Sequence, residues 1–589
     1  MDYFRSEKGN TLIIVLLMIV IFTVAGLSLI STTFSGVKKT DARETQIKSV
    51  ELAEKGIDYV SVLLEEKSKN YIDLTTKDFD LALKNLLSKY EVEKPDDPFL
   101  TNSLIPTDEG IVKVKIYDRT KKNADPDDLT QTMTLHSEAT VNGKKKTLIS
   151  KIQLGGRQTP EALNYALGAY NPFPCTPVPS CNSSTDDGNM FLHGGVAIKG
   201  DVYVEGNLIT RNKGIEGRDN NWITSDLPSI EGLNGKKANL IMQGNIFKAT
   251  QSDGTLNYSE HILRKNFSGY NSIDKNNPQS AFTSFYEPKR EFVPAVSSRI
   301  PNFKPIDITG EKSQFYFPEN KGDKENRPNF NNKPNNENIR NMFANKNVYL
   351  TSNKDVVING SFTFNRLGMS DTDQTNVTMR SDKSEPNKIL FKQGAYINGN
   401  LTIGNTSSDG EHYYSNYYEK FEIDGPIYVN GNLTIQSAFV KFNSTIYVTG
   451  TTTIRFSRLE GIKGSDQIEK SVVLFGKRPI LISNNNVYGD EANIIRGFFY
   501  TEDLMEIYGV GSNVEIQGGV FGRKVVLNAT RGRVWRFFFN DYYDNNQHNI
   551  SPDRSRLRIT YNPELIKNPP SGLPKVKELS VTRLGREIK

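Results

Sequence analysis

Residues Leu12 to Ile30 read LIIVLLMIVIFTVAGLSLI, nineteen positions without a charge. At ~1.5 Å rise per residue, a helix of that length spans roughly 28 Å, close to the ~30 Å hydrocarbon thickness of a bilayer. The run exceeds the ~7–15 residues of a secretory apolar region, and no A-x-A site follows it. No second run of this kind occurs in the 589 residues. The sequence therefore predicts one membrane anchor, carried by Leu12, Ile13, Leu16, Leu17, Ile21, Phe22, Leu27 and Ile30. Everything else lies on one side of it.

Flanking charge gives one indication of orientation. Arg5 and Lys8 precede the span, while Lys38, Lys39, Arg43 and Lys48 follow it. The positive-inside rule then favours a body inside the cell, although long domains translocate largely regardless of such charges. Beyond the span, Ile47, Val50, Ala53, Ile57, Val60 and Leu64 recur at spacings of three and four, one apolar face of a continuing helix. Gly56 weakens that helix by roughly 1 kcal/mol relative to Ala.

Composition limits what the remainder can be. Hydrophobic residues make up 36%, and even with the 45 glycines counted the chain falls below the ~45–50% apolar content of ordinary globular proteins. Charged residues stand at 24% and aromatics at 10%, which excludes both a polytopic membrane protein and a wholly disordered one. A net charge of +5 over this length does not predict nucleic-acid binding. The two cysteines, Cys175 and Cys181, enclose a Pro-containing loop and stand as a local disulfide or as two free thiols. With His193 alone nearby, they make no zinc site.

After the stem, Asp78 to Tyr90 reads as a short helix with Phe79, Leu81, Leu83, Leu86 and Leu87 for its buried side, closed by Pro95 and Pro98. Ile111–Tyr117, Gln131–Val141 and Lys145–Leu154 read as strands. Asn142-Gly143 joins the last two as a hairpin turn, because a type I′ turn needs positive φ at both central residues. The expected head is a helix on a small antiparallel sheet.

From Ala166 short β-rich triplets alternate with Gly-Asn bends: IKGDVYVEGNLIT (Ile198–Thr210), VVINGSFTF (Val356–Phe364), AYINGNLTIGN (Ala395–Asn405), PIYVNGNLTIQ (Pro426–Gln436) and TIYVTGTTTIR (Thr445–Arg455). Such rungs cannot bury an apolar face alone, but stacked they form a narrow continuous core. The fold class expected is mainly β with an N-terminal transmembrane and amphipathic helix: a small α+β head, then a β-solenoid, a right-handed parallel β-helix. The alternative is a β-sandwich or stacked hairpins, since Val-Asn-Gly-Asn also reads as a hairpin turn. The segments expected are 1–9 leader, 10–70 stem, 71–157 head, 158–310 first solenoid part, 311–340 polar insertion, 341–530 main solenoid and 531–589 C-terminal cap.

Lys321 to Asn338 is polar and Pro-interrupted, a loop or linker. Tyr413, Tyr414, Tyr417 and Tyr418 crowd around His412, a density suited either to contacting sugars or a partner protein, or to covering a solenoid edge. Trp535 with Phe537, Phe538 and Phe539 offers an apolar side suited to capping the last rung.

Lys8-Gly9, one polar residue, Thr11 and then the apolar helix from Leu12 resemble a type IV prepilin leader and stem, with LLMIVIFTVAGLSLISTTFSG fitting the PilX-type minor pilins. In that family a membrane peptidase cuts after the Gly, which implies cleavage here between Gly9 and Asn10. The resemblance further implies an extracytoplasmic body, partnership with other pilin-like subunits and the pilus assembly machinery, and a surface location. One departure stands out: major pilins carry Glu at the fifth mature position, where this chain has Ile14. Minor or tip subunits resemble it better. The repeats resemble, more loosely, bactofilin-type and adhesin-type β-helical rungs.

No phosphate loop, H-E-x-x-H or G-x-S-x-G motif is present, and no metal, cofactor or catalytic residue is expected. The function expected is a membrane-anchored pilin-like minor subunit displaying a β-helical domain for adhesion. The alternatives are a tethered β-helical protein that binds or acts on wall or extracellular glycans, and a cytoplasm-facing bactofilin-like scaffold.

Overall fold

A computed structural model of the chain describes residues 7–68, 76–88, 110–121, 131–155, 160–172, 186–216, 220–233, 237–283, 295–297, 305–315, 347–350, 355–369, 374–381, 384–407, 418–464, 468–537, 540–544, 550–573 and 580–588. It is mainly β with one long N-terminal helix and divides into two compact units, 1–158 with 575–589, and 159–574.

In the first unit, helix α1 runs unbroken over Glu7–Ser68 and α2 over Thr76–Leu87. Strands β1 (Ile111–Lys121), β2 (Gln131–Val141) and β3 (Lys144–Gly155) form an antiparallel sheet. The Asn-Gly hairpin is as expected, with φ of 47° at Asn142 and 75° at Gly143. A fourth strand, β4 (Ser580–Ile588), pairs antiparallel with β3 and comes from the end of the chain. The expected cap over 531–589 is thus divided: its last strand completes the head sheet.

Head packing follows the predicted stripe in part. Leu52, Ala53, Ile57, Val60 and Leu64 of α1 are buried with Phe79, Leu83 and Leu87 of α2 against Val112, Val114, Met133, Leu135 and Ile152. Ile47 and Leu81, both expected inside, are exposed, and Leu52 takes a place on the buried face.

In the second unit, three parallel ladders run side by side, and each coil of chain contributes one strand to each in turn. Ile427–Val429 pairs with Ala395–Ile397 before it and with Ile446 to Val448 after it. Leu433–Gln436 pairs with Leu401–Gly404 and Thr452–Arg455. The two halves of PIYVNGNLTIQ do not pair with one another, so Asn430-Gly431-Asn432 turns a corner instead of closing a hairpin. Long strands such as Asn493–Gly509 and Val514–Ala529 bend round corners and pair within all three ladders.

The Gly-Asn motif has two separate physical causes. A Cβ at Gly431 would sit 2.3 Å from the Gly399 carbonyl oxygen, and one at Gly450 would sit 2.5 Å from that of Gly431. Only Gly lets successive corners stack so closely. The following Asn then bonds along the stack: Asn400 N donates to Asn376 Oδ1, Asn432 N to Asn400 Oδ1, and Thr451 N to Asn432 Oδ1. Corner amides that would otherwise lack partners are satisfied in this way.

The order of coils in space departs from their order in sequence. Val514–Ala529 is followed on two ladders by Leu167–Ala169 and Met190–Gly194, and on the third by Leu557–Tyr561. That last strand in turn pairs with Ala197–Lys199. One rung is therefore built from residues almost 400 apart in sequence, and the coils of 167–297 extend the stack begun at 347.

Candidate functional site

The stem is the first candidate, and its chemistry divides at mid-helix. From Leu12 to Phe34 the large apolar side chains are exposed: Leu12 is 71% accessible, Phe22 70% and Ile14, at the position where a Glu was noted as absent, 59%. Three hydroxyls within this half are satisfied inside the helix: Thr23, Thr32 and Thr33 each donate to the carbonyl four residues back. This is the one helix, among the described residues, long and apolar enough to cross a membrane. Gly9 and Asn10 belong to its first turns.

The other half of α1 is fixed by close packing on the sheet. A Cβ at Gly56 would come within 2.5 Å of Ser137 Oγ and 2.7 Å of Val112 Cγ1. The glycine that weakens the helix in isolation is what lets it approach β1 and β2. Ion pairs from β4, Arg586 to Glu54 and Arg583 to Asp58, tie the last strand to α1.

On the body, one ladder carries a column of neighbouring aromatic rings on its outer side. Tyr396, Tyr428, Tyr447, Phe475, Tyr500 and Phe521 are register neighbours, with centroids 5.4–6.3 Å apart. These rings are buried, because two segments run back over them. Phe315 packs on Tyr428 and Tyr447, and Ile306 N donates to Tyr500 Oη. From the C-terminal side, Tyr447 Oη donates to the Gly572 carbonyl at 2.8 Å. Phe315 belongs to the expected polar insertion 311–340, whose beginning is thus docked on the ladder.

A second ladder buries a polar network under the segments 220–224 and 256–270. His193 Nδ1 lies 2.7 Å from Asn528 Oδ1, and its Nε2 lies 2.8 Å from His261 Nε2. His261 Nδ1 lies 2.6 Å from Tyr270 Oη. Nearby, Tyr258 and Tyr508 both donate to Glu506 Oε1. Arg211 pairs with Asp253 and lies over the Trp222 ring at 4.4 Å. Burial pushes His193 down to about 3 and His261 well below its ordinary value. Two imidazoles this close share a hydrogen; a metal between them would hold the nitrogens farther apart. No group of three metal-ligating side chains converges among the described residues.

The remaining predicted residues fare unevenly. Tyr418 is 3% exposed and packs with Phe456 and Val487, its Oη accepting from Asn493 Nδ2. Tyr413, Tyr414 and Tyr417, Cys175 and Cys181, and the segment 321–338 lie outside the described residues. Trp535 is half exposed and stacks on Tyr542 in a small hairpin, Val534–Phe537 with Asn540–Tyr543, instead of capping a last rung. The buried His pair was missed in sequence because its partners stand 68 residues apart on elements whose docking no local pattern reveals.

No family model and no curated protein matches the chain. Among solved structures, a competence-associated pilin ComZ from Thermus thermophilus is similar at 13% identity, covering 92% of this chain and 97% of that one, with a TM-score of 0.21.

Proposed function

We propose that this chain is an exported, membrane-anchored, type IV pilin-like minor subunit whose stem joins or primes a filament at its tip and whose body is displayed for surface contact. The observation that carries the reading is the division of α1. One continuous helix exposes an uncharged apolar half and packs its other half into an antiparallel sheet, as a stem must do to be both lipid anchor and head scaffold. Prepilin peptidase would cut between Gly9 and Asn10, and other pilin-like subunits would receive the apolar half. The body then lies outside the cytoplasmic membrane, against the weak charge bias.

We read the three parallel ladders as a right-handed parallel β-helix. Parallel pairing between successive coils, and corner glycines stacked on glycines, support that reading. The role proposed is binding and not turnover. Expression in cells possessing the peptidase, followed by intact-mass measurement, tests the assignment. Loss of residues 1–9 supports it, and a full-length mass in such cells argues against it.

A further inference from the structure

Beside the composite rung, a cleft of about 500 Å³ opens in the body, and its walls hold four arginines against three aspartates. Its deepest basic group is Arg556, whose side chain is buried. The guanidinium donates to the carbonyls of Ser512 at 2.8 Å and Val487 at 2.6 Å, and more distantly to those of Gly489 and Asn486. No carboxylate of the described residues forms an ion pair with it, although Asp490 of the same cleft acts on its charge through space.

The mouth is built differently. Arg533 is 69% exposed and reaches Asp490 at 3.2 Å, while Arg554 is 47% exposed and reaches Asp544 at 3.4 Å. Single-contact pairs of that length between solvated groups hold little free energy, on the order of 0–1 kcal/mol. Either guanidinium can leave its aspartate for a better oxyanion, to which it can bond through two parallel N–H groups. Between mouth and base, Asn513 is 3% exposed and spends both amide hydrogens on the carbonyls of Gly489 and Asp490. Its Oδ1 is buried with no donor.

We propose that this cleft binds an anionic chain, with its oxyanions on Arg533 and Arg554. The shared chemistry is a monovalent oxyanion, either the carboxylate of a uronic acid chain or the phosphodiester of a polyol-phosphate chain. The inference rests on the display reading for its purpose, though the cleft's chemistry is independent of stem processing.

The test is calorimetric titration of the full-length protein in detergent micelles with three probes: galacturonate oligomers, glycerol-phosphate oligomers and neutral dextran oligomers of matched length. Binding of either anionic probe, weakened by added salt and absent with dextran, is expected, and the probe that binds identifies the oxyanion. Arg533→Ala with Arg554→Ala should weaken binding at least tenfold at an unchanged melting temperature. Asp490→Asn with Asp544→Asn, which frees both guanidinia while keeping shape, should tighten it, and serves if the arginine variant does not fold. Dextran binding as well as the anions, no binding of either anion at millimolar concentration, or anion binding indifferent to both variants would overturn the proposal. An uncut N-terminus would leave this titration unaffected, and a failed titration would leave the stem reading standing.

Discussion

His193 and His261 face each other through their Nε2 atoms at 2.8 Å, both wholly buried, and each has its other ring nitrogen against a neutral partner, Asn528 and Tyr270. One imidazole donates and the other accepts across this contact, so both rings cannot be protonated together. A proton on either would bring a charge beside Arg211, which already lowers both rings.

A pH dependence follows. In the unfolded chain each His takes a proton near pH 6.5, whereas His193 in the fold takes one near 3 and His261 well below 6.5. Between those limits the unfolded chain binds more protons, so stability falls as pH falls. Each unit below about 6.5 costs up to ~1.4 kcal/mol per histidine. Chemical denaturation between pH 7.5 and 4.5 should show this loss. A His193→Gln, His261→Gln variant, less stable at neutral pH, should show a flatter profile.

Two glycines test packing against propensity. Gly56→Ala gains roughly 1 kcal/mol of helix propensity, but its Cβ would press on Ser137 and Val112, and overpacking of that kind costs typically ~1–3 kcal/mol. We expect a lower melting temperature for the head. Gly431→Ala should cost more than Gly56→Ala, since the atoms it meets belong to the backbone of Gly399 and Asn400 and cannot rotate away. Thermal unfolding of the two variants side by side gives the order.

The composite rung makes a third prediction. A protease site inserted between Asn335 and Asn336 allows the chain to be cut between the coils of 167–297 and those from 347 onward. Because Val514–Ala529 pairs directly with Leu167–Ala169 and Met190–Gly194, the fragments should co-elute on size exclusion after cleavage and separate only in denaturant. Separation in native buffer would contradict the stacking.

Much of this architecture is written locally. The uncharged run from Leu12, the Asn142-Gly143 turn and the triplets of PIYVNGNLTIQ each carry a period or a turn chemistry that one window of sequence contains. What the windows do not contain is which coil follows which. Leu557–Tyr561 is a short alternating strand, indistinguishable in pattern from its neighbours, and its place between Val514–Ala529 and Ala197–Lys199 is decided by long-range pairing. Ser580–Ile588 is likewise an ordinary strand pattern whose partner lies more than 400 residues earlier. Tyr418 shows the same limit: aromatic density marks a contact, but not whether solvent or the chain itself provides it.

The assignment as a pilin-like subunit turns on what happens at Gly9. N-terminal sequencing and intact-mass analysis of the protein from cells with an active prepilin peptidase measure it directly. The account predicts a mature chain beginning at Asn10, with residues 1–9 removed and cleavage abolished by Gly9→Val. A chain still beginning at Met1 in those cells, or one cut elsewhere, would contradict it.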